Sequence, residues 1–196
     1  MSEPHTDGRR LKGERRRQEL IEATLRVVAR EGVTGVSHRA VSREAGLSPT
    51  AAAYHFDSID DLLTAALTSC MDESARVMRE FTAVFDSGTD ALPALAEQFA
   101  RLFVDPTRLL AEFELFLLAA REPELRAPTH RWLEAVAEFA RRHTSDPVRV
   151  RTVVAAVDGM LMHGLLREQP PTAEQFEAVL RALLTEAAPG AAEPVT

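Results

Sequence analysis

The side chains best suited to binding a charged ligand lie near the N-terminus of this 196-residue chain. Residues 9–17 (RRLKGERRR) carry six positive charges against the single carboxylate of Glu14. Residues 1–60 hold 10 Lys and Arg against 9 Asp and Glu, whereas the whole chain has a net charge of −7. A basic segment in an acidic chain is typical of a local phosphate-binding surface, although a merely solvating tail has the same composition. The charge distribution therefore favours a nucleic-acid partner bound at one place.

The residue types that perform catalysis or bind metals are present without the spacing that such chemistry requires. The sequence contains no E-x-x-H or H-E-x-x-H motif and no phosphate-cradling glycine loop, and His130, His143 and His163 lack metal-ligand spacing. We therefore expect neither an enzyme nor a cofactor. Cys70 is the only cysteine, which excludes an internal disulfide and leaves either a small core residue or a redox sensor. No apolar run is long enough to cross a membrane.

Residues 37–56 have the pattern of two short helices joined by a tight turn. Ser37 is placed to cap the first helix, and Gly46 stands where that helix must end in a left-handed conformation. Ser48 is expected to cap the second helix, with Pro49 at its first position. Two helices separated by a few residues with glycine in the turn are typical of a helix-turn-helix motif.

Apolar residues recur at helical spacing along the rest of the chain and no strand alternation is present, so we predict an all-α fold of about nine helices. A three-helix head over residues 14–60 contains the helix-turn-helix motif of residues 37–56. Residues 61–188 are expected to form a larger helical body. Residues 1–13 and 189–196 have the composition of flexible tails. The fourth helix is the expected link between head and body.

Residues from about 15 to 73 resemble the tetracycline-repressor (TetR) family of bacterial transcriptional regulators. The resemblance rests on the Gly-Val-x-x-Val-Ser spacing of residues 32–37, the Glu-Ala-Gly-Leu-Ser run of residues 44–48, and Tyr-His-Phe at residues 54–56 followed by Asp-Asp-Leu-Leu at residues 60–63. Together these motifs are specific, whereas the remainder of the chain resembles the family in helix number and layout alone. The family implies a homodimeric DNA-binding regulator, usually a repressor released from a palindromic operator by a small molecule.

The resemblance also implies which residues meet DNA. The start of the first motif helix would hold a phosphate, and the start of the second would enter the major groove, with flanking residues on the backbone. The implied DNA-binding residues are Ser37, His38, Arg39, Ser48, Pro49, Thr50, Ala51, Tyr54 and His55. Two positions depart from the family pattern, because Ala53 stands in place of an aromatic residue and Ile59 in place of a lysine. We expect the basic segment of residues 9–17 to compensate for these two backbone contacts.

Operator binding of this kind needs a second copy of the chain, because one helix-turn-helix motif reads too few base pairs. The last two helices carry wide apolar stripes, and the resemblance implies that these pair with their copies as a four-helix bundle. The interface candidates are Val153, Val157, Leu161, Leu165, Phe176, Val179, Leu180, Leu183 and Leu184. The alternative is that both stripes face only the chain's own core.

Aromatic residues are concentrated in the middle of the chain, where they form either an ordinary core or a pocket for an apolar or aromatic effector. The ligand-binding candidates are Phe99, Phe103, Phe113, Phe116, Trp132, Met160 and His163. Glu112 and Glu114 lie two residues apart and so point to different sides of one helix. A buried carboxylate here would favour a cationic ligand, whereas carboxylates that are solvated or hydrogen-bonded within the chain would not.

The sequence thus predicts a cytoplasmic, homodimeric transcriptional regulator. Its expected partners are palindromic double-stranded DNA, a second copy of itself and an unknown small-molecule effector, with no membrane. Two alternatives stay open: a constitutive DNA-binding regulator without an effector and, less readily, a helical-bundle enzyme. A bound metal or measurable turnover would distinguish the enzyme from the two regulators.

Overall fold

The computed structural model describes residues 5–184, with side chains from residue 10 onward. Over these residues it contains nine α-helices, two short 3-10 segments and no β-strand, which confirms the all-α fold. The helices are α1 (His5–Glu31), α2 (His38–Glu44), α3 (Ala51–His55), α4 (Ile59–Asp86), α5 (Leu92–Arg101), α6 (Thr107–Arg121), α7 (Arg126–Arg141), α8 (Pro147–Leu165) and α9 (Ala173–Leu184). Within this part of the chain, no helix is both long and apolar enough to span a membrane.

Helix α1 begins much earlier than the composition of the N-terminus indicates. The prediction of a flexible tail is wrong for residues 5–13, which are helical. Ion pairs between residues one turn apart support these first turns, with N–O distances of 3.5 Å and 3.1 Å for Arg10–Glu14 and Arg15–Glu19. The basic segment of residues 9–17 is therefore presented on a helix. Residues 1–4 and the tail predicted at residues 189–196 lie outside the described residues.

The described residues form two compact units, which do not divide at the end of the predicted head. The first unit contains residues 5–77 and 101–133, and the second contains residues 78–100 and 134–184. Since α4 continues from one set into the other, a single helix contributes to both units. The head of residues 14–60 therefore shares its unit with part of α4 and with α6. Its assignment as a separate DNA-binding domain stays a prediction.

In the first unit, α1 is the element on which the other helices pack. Its apolar face is fully enclosed, with Leu20, Ala23, Val27 and Val28 all 0% exposed. Helices α2 and α3 pack on α1, and α6 packs on it as well. The contact between α1 and α6 joins segments far apart in the sequence, so helical periodicity alone does not predict it.

In the second unit, α8 and α9 pack against each other. Phe99 of α5 meets Phe176 of α9 with 5.5 Å between the ring centroids. Thr172 and Gln175 form a reciprocal capping box before α9, in which each backbone N–H donates to the side-chain oxygen of the other residue. Apolar residues of the last two helices therefore pack within the core of their own chain.

Candidate DNA-binding site

Backbone hydrogen bonds at the end of α2 fix the turn that leads to α3. The N–H of Gly46 donates to the carbonyl of Arg43 at 3.1 Å, and the N–H of Leu47 donates to the carbonyl of Ser42 at 2.9 Å. This pattern requires a left-handed residue directly after the helix, and Gly46 has φ of 67°. The glycine turn predicted from the sequence is therefore confirmed.

Helix α3 is capped by a side chain of α2. The sequence predicted Ser48 as the cap, but α3 begins at Ala51 and no side chain caps it from Thr50. Instead, the fully buried Ser42 Oγ accepts a hydrogen bond from the N–H of Ala52 at 3.0 Å. The prediction for Ser48 is wrong because the turn continues through Thr50, which places the first free N–H groups of α3 beside α2. The sequence feature that could have identified Ser42 as the cap is its position as a polar residue on the apolar face of a short helix.

The start of α3 is exposed and shares a cleft with α1. Tyr54 is 85% exposed, and its ring meets the ring of His55 edge-on at 5.1 Å between centroids. The cleft beside them has a volume of about 290 Å³ and is lined by Arg16, Leu47, Ser48, Thr50, Ala51, Tyr54 and His55. Pro49 is exposed next to it. The structure therefore brings the predicted residues of α3 together with Arg16.

The predicted DNA-binding residues at the start of α2 differ in exposure. Ser37 and Arg39 are exposed, and Ser37 Oγ accepts a hydrogen bond from the N–H of Ala40 at 3.1 Å, which confirms the predicted cap. His38 is half-buried, and its Nε2 is enclosed without a hydrogen-bond partner among residues 10–184. That nitrogen does not face solvent, so Arg39 is the exposed cationic side chain at the start of α2.

A carboxylate between two guanidinium groups ties α2 to α1. Glu44 accepts hydrogen bonds from Arg26 Nε at 2.9 Å and from Arg30 Nη1 at 3.0 Å. The hydrogen bond from Arg26, with that from Arg30, holds the pKa of Glu44 below its ordinary value despite some desolvation. This clamp orients α2, and with it the α3 helix, on α1.

We expect the Glu44 clamp to make stability fall in acid. Because the folded-state pKa of Glu44 is lowered, its contribution is fully present above the ordinary glutamate pKa and is lost as pH falls through the folded-state value. Glu44→Gln removes the charge at every pH, so its thermal midpoint should fall less between about pH 6 and about pH 3 than that of wild type. Circular dichroism melts across this range measure the difference, with Glu114→Gln as an exposed control. Identical pH profiles for all three proteins would show that the clamp contributes nothing.

Helices α4 and α6 enclose a second carboxylate, that of Glu112, whose side chain is only 15% exposed. Its Oε1 accepts hydrogen bonds from Ser74 Oγ at 3.0 Å and from Arg108 Nε at 3.3 Å. Burial raises the pKa of Glu112 above its ordinary value, against the opposing effect of Arg108. Glu114 is exposed. Glu112 is therefore the more enclosed carboxylate of the two, and Ser74 and Arg108 already bind it within the chain, so the cationic-ligand site stays a prediction.

Cys70 lies near this carboxylate and is poorly suited to redox sensing. Its side chain is 0% exposed, and its backbone carbonyl accepts a hydrogen bond from Arg108 Nη2 at 3.4 Å. Burial, followed by the charge of Glu112, raises the pKa of the Cys70 thiol well above its ordinary value. A buried, protonated thiol is unreactive, so Cys70 is a core residue.

The predicted ligand-binding residues are divided between the two units. Phe103, Phe113, Phe116 and Trp132 belong to the first unit, and Phe99, Met160 and His163 belong to the second. Phe99 and Trp132 are buried, His163 is exposed, and the others are half-buried. The first unit also has a groove of about 670 Å³, and its lining contains none of these residues: Arg17, Gln18, Ile21, His55, Phe56, Asp57, Asp61, Thr64, Ala65, Thr68 and Ser69. The aromatic pocket stays a prediction.

The predicted dimer-interface residues are mostly enclosed by the chain itself. Those at 4% exposure or less are Val153, Val157, Leu161, Phe176, Leu180 and Leu184. These residues are already buried in the core of their own chain, where α8 packs on α9 and Phe99 on Phe176, and they offer almost no surface to a second copy, so their place in an interface stays a prediction. Leu165, Val179 and Leu183 are half-buried and stay candidates.

Helix α8 and the residue that follows it carry another apolar stripe on the exposed side, and none of its residues is among the interface candidates named from the sequence. Ala155, Gly159, Met162 and Leu166 follow one another at helical spacing, and Met162 and Leu166 are 41% and 81% exposed. A Cβ atom on Gly159 would meet no atom within 4 Å, so the surface there is open. Ala178 and Ala182 of α9 are exposed as well. Exposed apolar residues that recur along one side of a helix mark a candidate interaction site.

Family models match both halves of the chain. One described as "Bacterial regulatory proteins, tetR family" matches residues 20–66, and one described as "Tetracyclin repressor-like, C-terminal domain" matches residues 85–186. A solved TetR family member from Streptomyces coelicolor A3 has a TM-score of 0.74 at 36% identity, covering 86% of this chain and 98% of that one. The similarity therefore extends well beyond the helix-turn-helix motif.

Two further relatives are described by what they bind or respond to. The multidrug binding protein EbrR complexed with ethidium has a TM-score of 0.68 at 36% identity, covering 86% of this chain and 98% of that one. EbrR is also solved with proflavin and with malachite green. The nicotine-responsive transcriptional repressor HdnoR of Paenarthrobacter nicotinovorans is 33% identical over 113 residues, which is 55% of this chain and only 56% of that repressor. The chain is therefore no enzyme, and it belongs to the TetR family of DNA-binding transcriptional regulators.

Proposed function

We propose that this protein is a homodimeric repressor that binds a palindromic operator in the cytoplasm and leaves it when a small-molecule effector binds. The observation that carries the DNA-binding part is the exposed start of α3, held in place by the Ser42–Ala52 hydrogen bond and the Gly46 turn. A recognition helix that is fixed before it meets DNA presents its side chains at defined positions to the major groove.

On DNA, the first residues of α3 enter the major groove. Thr50 hydrogen-bonds a base edge and Ala51 contacts a thymine methyl group. Tyr54 and His55 contact the sugar-phosphate backbone, as do Ser37 and Arg39 at the start of α2, and the exposed Ser48 and Pro49 flank the groove. Because α3 offers few side chains for direct readout, the shape of the operator also contributes to recognition.

Selection of bound sequences from a randomised duplex library tests this proposal whatever the sequence of the operator. We expect the full-length protein to enrich a palindrome whose half-sites lie about 10 bp apart or a multiple of that spacing. The control protein carries Thr50→Ala and should bind the enriched sequence more weakly than wild type. Enrichment of no sequence, or of one without symmetry, would count against a dimeric operator-binding protein.

The second copy of the chain binds along the exposed stripe of α8 and the alanines of α9. Small side chains at Ala155 and Gly159 let two helices approach closely, and Met162 and Leu166 supply apolar surface that is otherwise in water. Burying exposed apolar surface stabilises association by about 25 cal/mol per Å² before the costs of ordering are subtracted. This surface therefore replaces most of the interface residues predicted from the sequence.

We expect Ala155→Glu to convert the dimer into a monomer. It places a carboxylate against its own copy in a symmetric interface, where both charges would be desolvated. Light scattering after size exclusion measures the mass, which should fall to that of one 21.6 kDa chain. Val104→Glu is the control, because Val104 is an exposed apolar residue of the first unit at 87% exposure. A dimer that survives Ala155→Glu would place the interface elsewhere.

The effector is an aromatic cation. Ethidium and malachite green, which are bound by EbrR, are aromatic cations, and nicotine, to which HdnoR responds, is a basic amine. In this chain Glu112 supplies a largely buried carboxylate, held in place by Ser74 and Arg108, and the half-buried Phe116 follows one turn later on α6. A carboxylate and aromatic faces are the groups that attract such cations.

The α6 helix connects this carboxylate to the DNA-binding residues. It packs on α1, which holds α2 through the Arg26 and Arg30 clamp on Glu44. An effector that binds better when α6 is displaced lowers DNA affinity by the ratio of its affinities for the two conformations. The α4 helix, which the sequence indicated as the transmitter, contributes Ser74 to the same carboxylate, so both helices take part.

A further inference from the structure

We propose that Lys12 and Arg16, on one face of α1, bind the DNA phosphate backbone next to the base pairs that α3 reads. This inference rests on the proposed DNA-binding function and adds a contact region outside the helix-turn-helix motif. The N-terminal turns of α1 would then contact phosphates of the operator.

The basic side chains of α1 divide into those with partners in the chain and those without. Arg26 and Arg30 hold Glu44, Arg10 pairs with Glu14 at 3.5 Å and Arg15 with Glu19 at 3.1 Å. The guanidinium of Arg17 lies 4.8 Å from the ring centroid of Phe56. Lys12 and Arg16 are exposed, and neither makes a hydrogen bond or ion pair with any residue in the described part of the chain. Their charges are therefore available to an external anion.

Arg16 stands directly beside the recognition helix. It lines the same cleft of about 290 Å³ as Ser48, Thr50 and Tyr54. Lys12 precedes Arg16 by one helical turn, so both side chains project from one face of α1 about 6 Å apart along its axis. Each strand of B-DNA carries a phosphate about every 3.4 Å along the helix axis. A cationic face with this spacing can follow one strand past the groove that α3 enters.

The helix-turn-helix motif itself supplies few cations for this purpose. The recognition helix begins with three consecutive alanines, Ala51 to Ala53, and Arg39 is the exposed cation among the DNA-binding residues proposed for α2. Phosphate contacts set affinity and register without reading sequence, whereas base contacts set specificity. We therefore assign sequence reading to α3 and a large part of the salt-dependent affinity to Lys12 and Arg16.

The test measures affinity of the full-length protein for the library-selected operator over a series of salt concentrations. Arg16→Gln removes one phosphate contact in each half-site, so the plot of log affinity against log salt should become less steep by about 1.8, since each contact contributes about 0.9. When salt rises from about 50 to about 200 mM, wild type should therefore lose roughly twelvefold more affinity than Arg16→Gln. Lys12→Gln should have the same effect, and Arg16→Lys should keep the wild-type slope.

Arg15→Gln is the matched control, because it removes the same charge from the same helix at a side chain already paired with Glu19. A shallower slope for Arg16→Gln and Lys12→Gln with a wild-type slope for Arg15→Gln supports the proposal. An equal change in all three variants would show that the basic segment acts as a diffuse charge, and no change in any would show that α1 makes no contact. Either result overturns the proposal while operator binding by wild type keeps the proposed function intact. Failure of wild type to bind any selected DNA overturns both.

Discussion

Ser42→Ala is expected to destabilise the helix-turn-helix motif more than the loss of any other single polar side-chain atom in it. The substitution leaves the N–H of Ala52, a residue that is 0% exposed, without its acceptor. An unsatisfied buried donor costs about 1–3 kcal/mol, and each kcal/mol lowers the melting temperature of a protein of this size by roughly 2–4 °C. Operator affinity should fall as well, because α3 loses the bond that sets its position on α2. Thermal melts and operator binding measure the two effects.

Ser48→Ala is the matched control for the stability measurement. The sequence pattern assigns the cap of α3 to Ser48, whereas the structure assigns it to Ser42. We therefore expect the melting temperature of Ser48→Ala to stay within the wild-type range. A larger loss of stability in Ser48→Ala than in Ser42→Ala would show that α3 is capped as the sequence pattern indicates, and that its position on α2 has another cause.

Replacing Glu112 by glutamine is expected to remove most of the affinity for aromatic cations and to leave operator binding in the absence of effector unchanged. The amide keeps the size of the side chain and still accepts a hydrogen bond from Ser74, but it carries no charge. Hydrogen bonds to charged groups contribute about 1.5–3 kcal/mol, so ethidium affinity should fall roughly tenfold to a hundredfold. Ethidium fluorescence measures this affinity. The protein must be free of DNA, because ethidium also binds DNA.

The pH dependence of ethidium binding provides a second readout of the same carboxylate. Because burial raises the pKa of Glu112, its charge is lost as pH falls at a higher pH than for an ordinary glutamate, and cation affinity should fall with it. Glu114→Gln is the control, since that side chain is exposed and lies only two residues away. Equal affinity of both variants and wild type would place the cation elsewhere. Binding of no aromatic cation by wild type would favour a constitutive regulator.

The helix-turn-helix motif was predictable from the sequence because its determinants are local. Ser37 and Gly46 each control backbone hydrogen bonds within a few residues, and both act in the structure as their types indicate. The all-α fold follows in the same way from helical periodicity. The glycines and charges of residues 5–13 are typical of a flexible tail, but these residues are helical, and Arg10 pairs with Glu14 one turn later.

The features that the sequence did not reveal depend on contacts between distant residues. The hydrogen bond from Ala52 to Ser42 crosses the turn between two helices, and the packing of α6 on α1 joins segments far apart in the chain. On α8 both faces carry apolar residues, with Val153 inside and Met162 outside. Periodicity does not show which of two apolar faces of one helix is buried within the chain, and the residues that the sequence assigned to the dimer interface are mostly the buried ones.

Footprinting of the full-length protein on the DNA upstream of its own gene, repeated at several salt concentrations, tests operator binding by a dimer most directly. We expect a protected palindrome of two half-sites about one helical turn apart, with affinity that falls steeply as salt rises. Protection of a single asymmetric site, or affinity that does not change with salt, would contradict a dimer that holds DNA through its phosphates and reads it with α3.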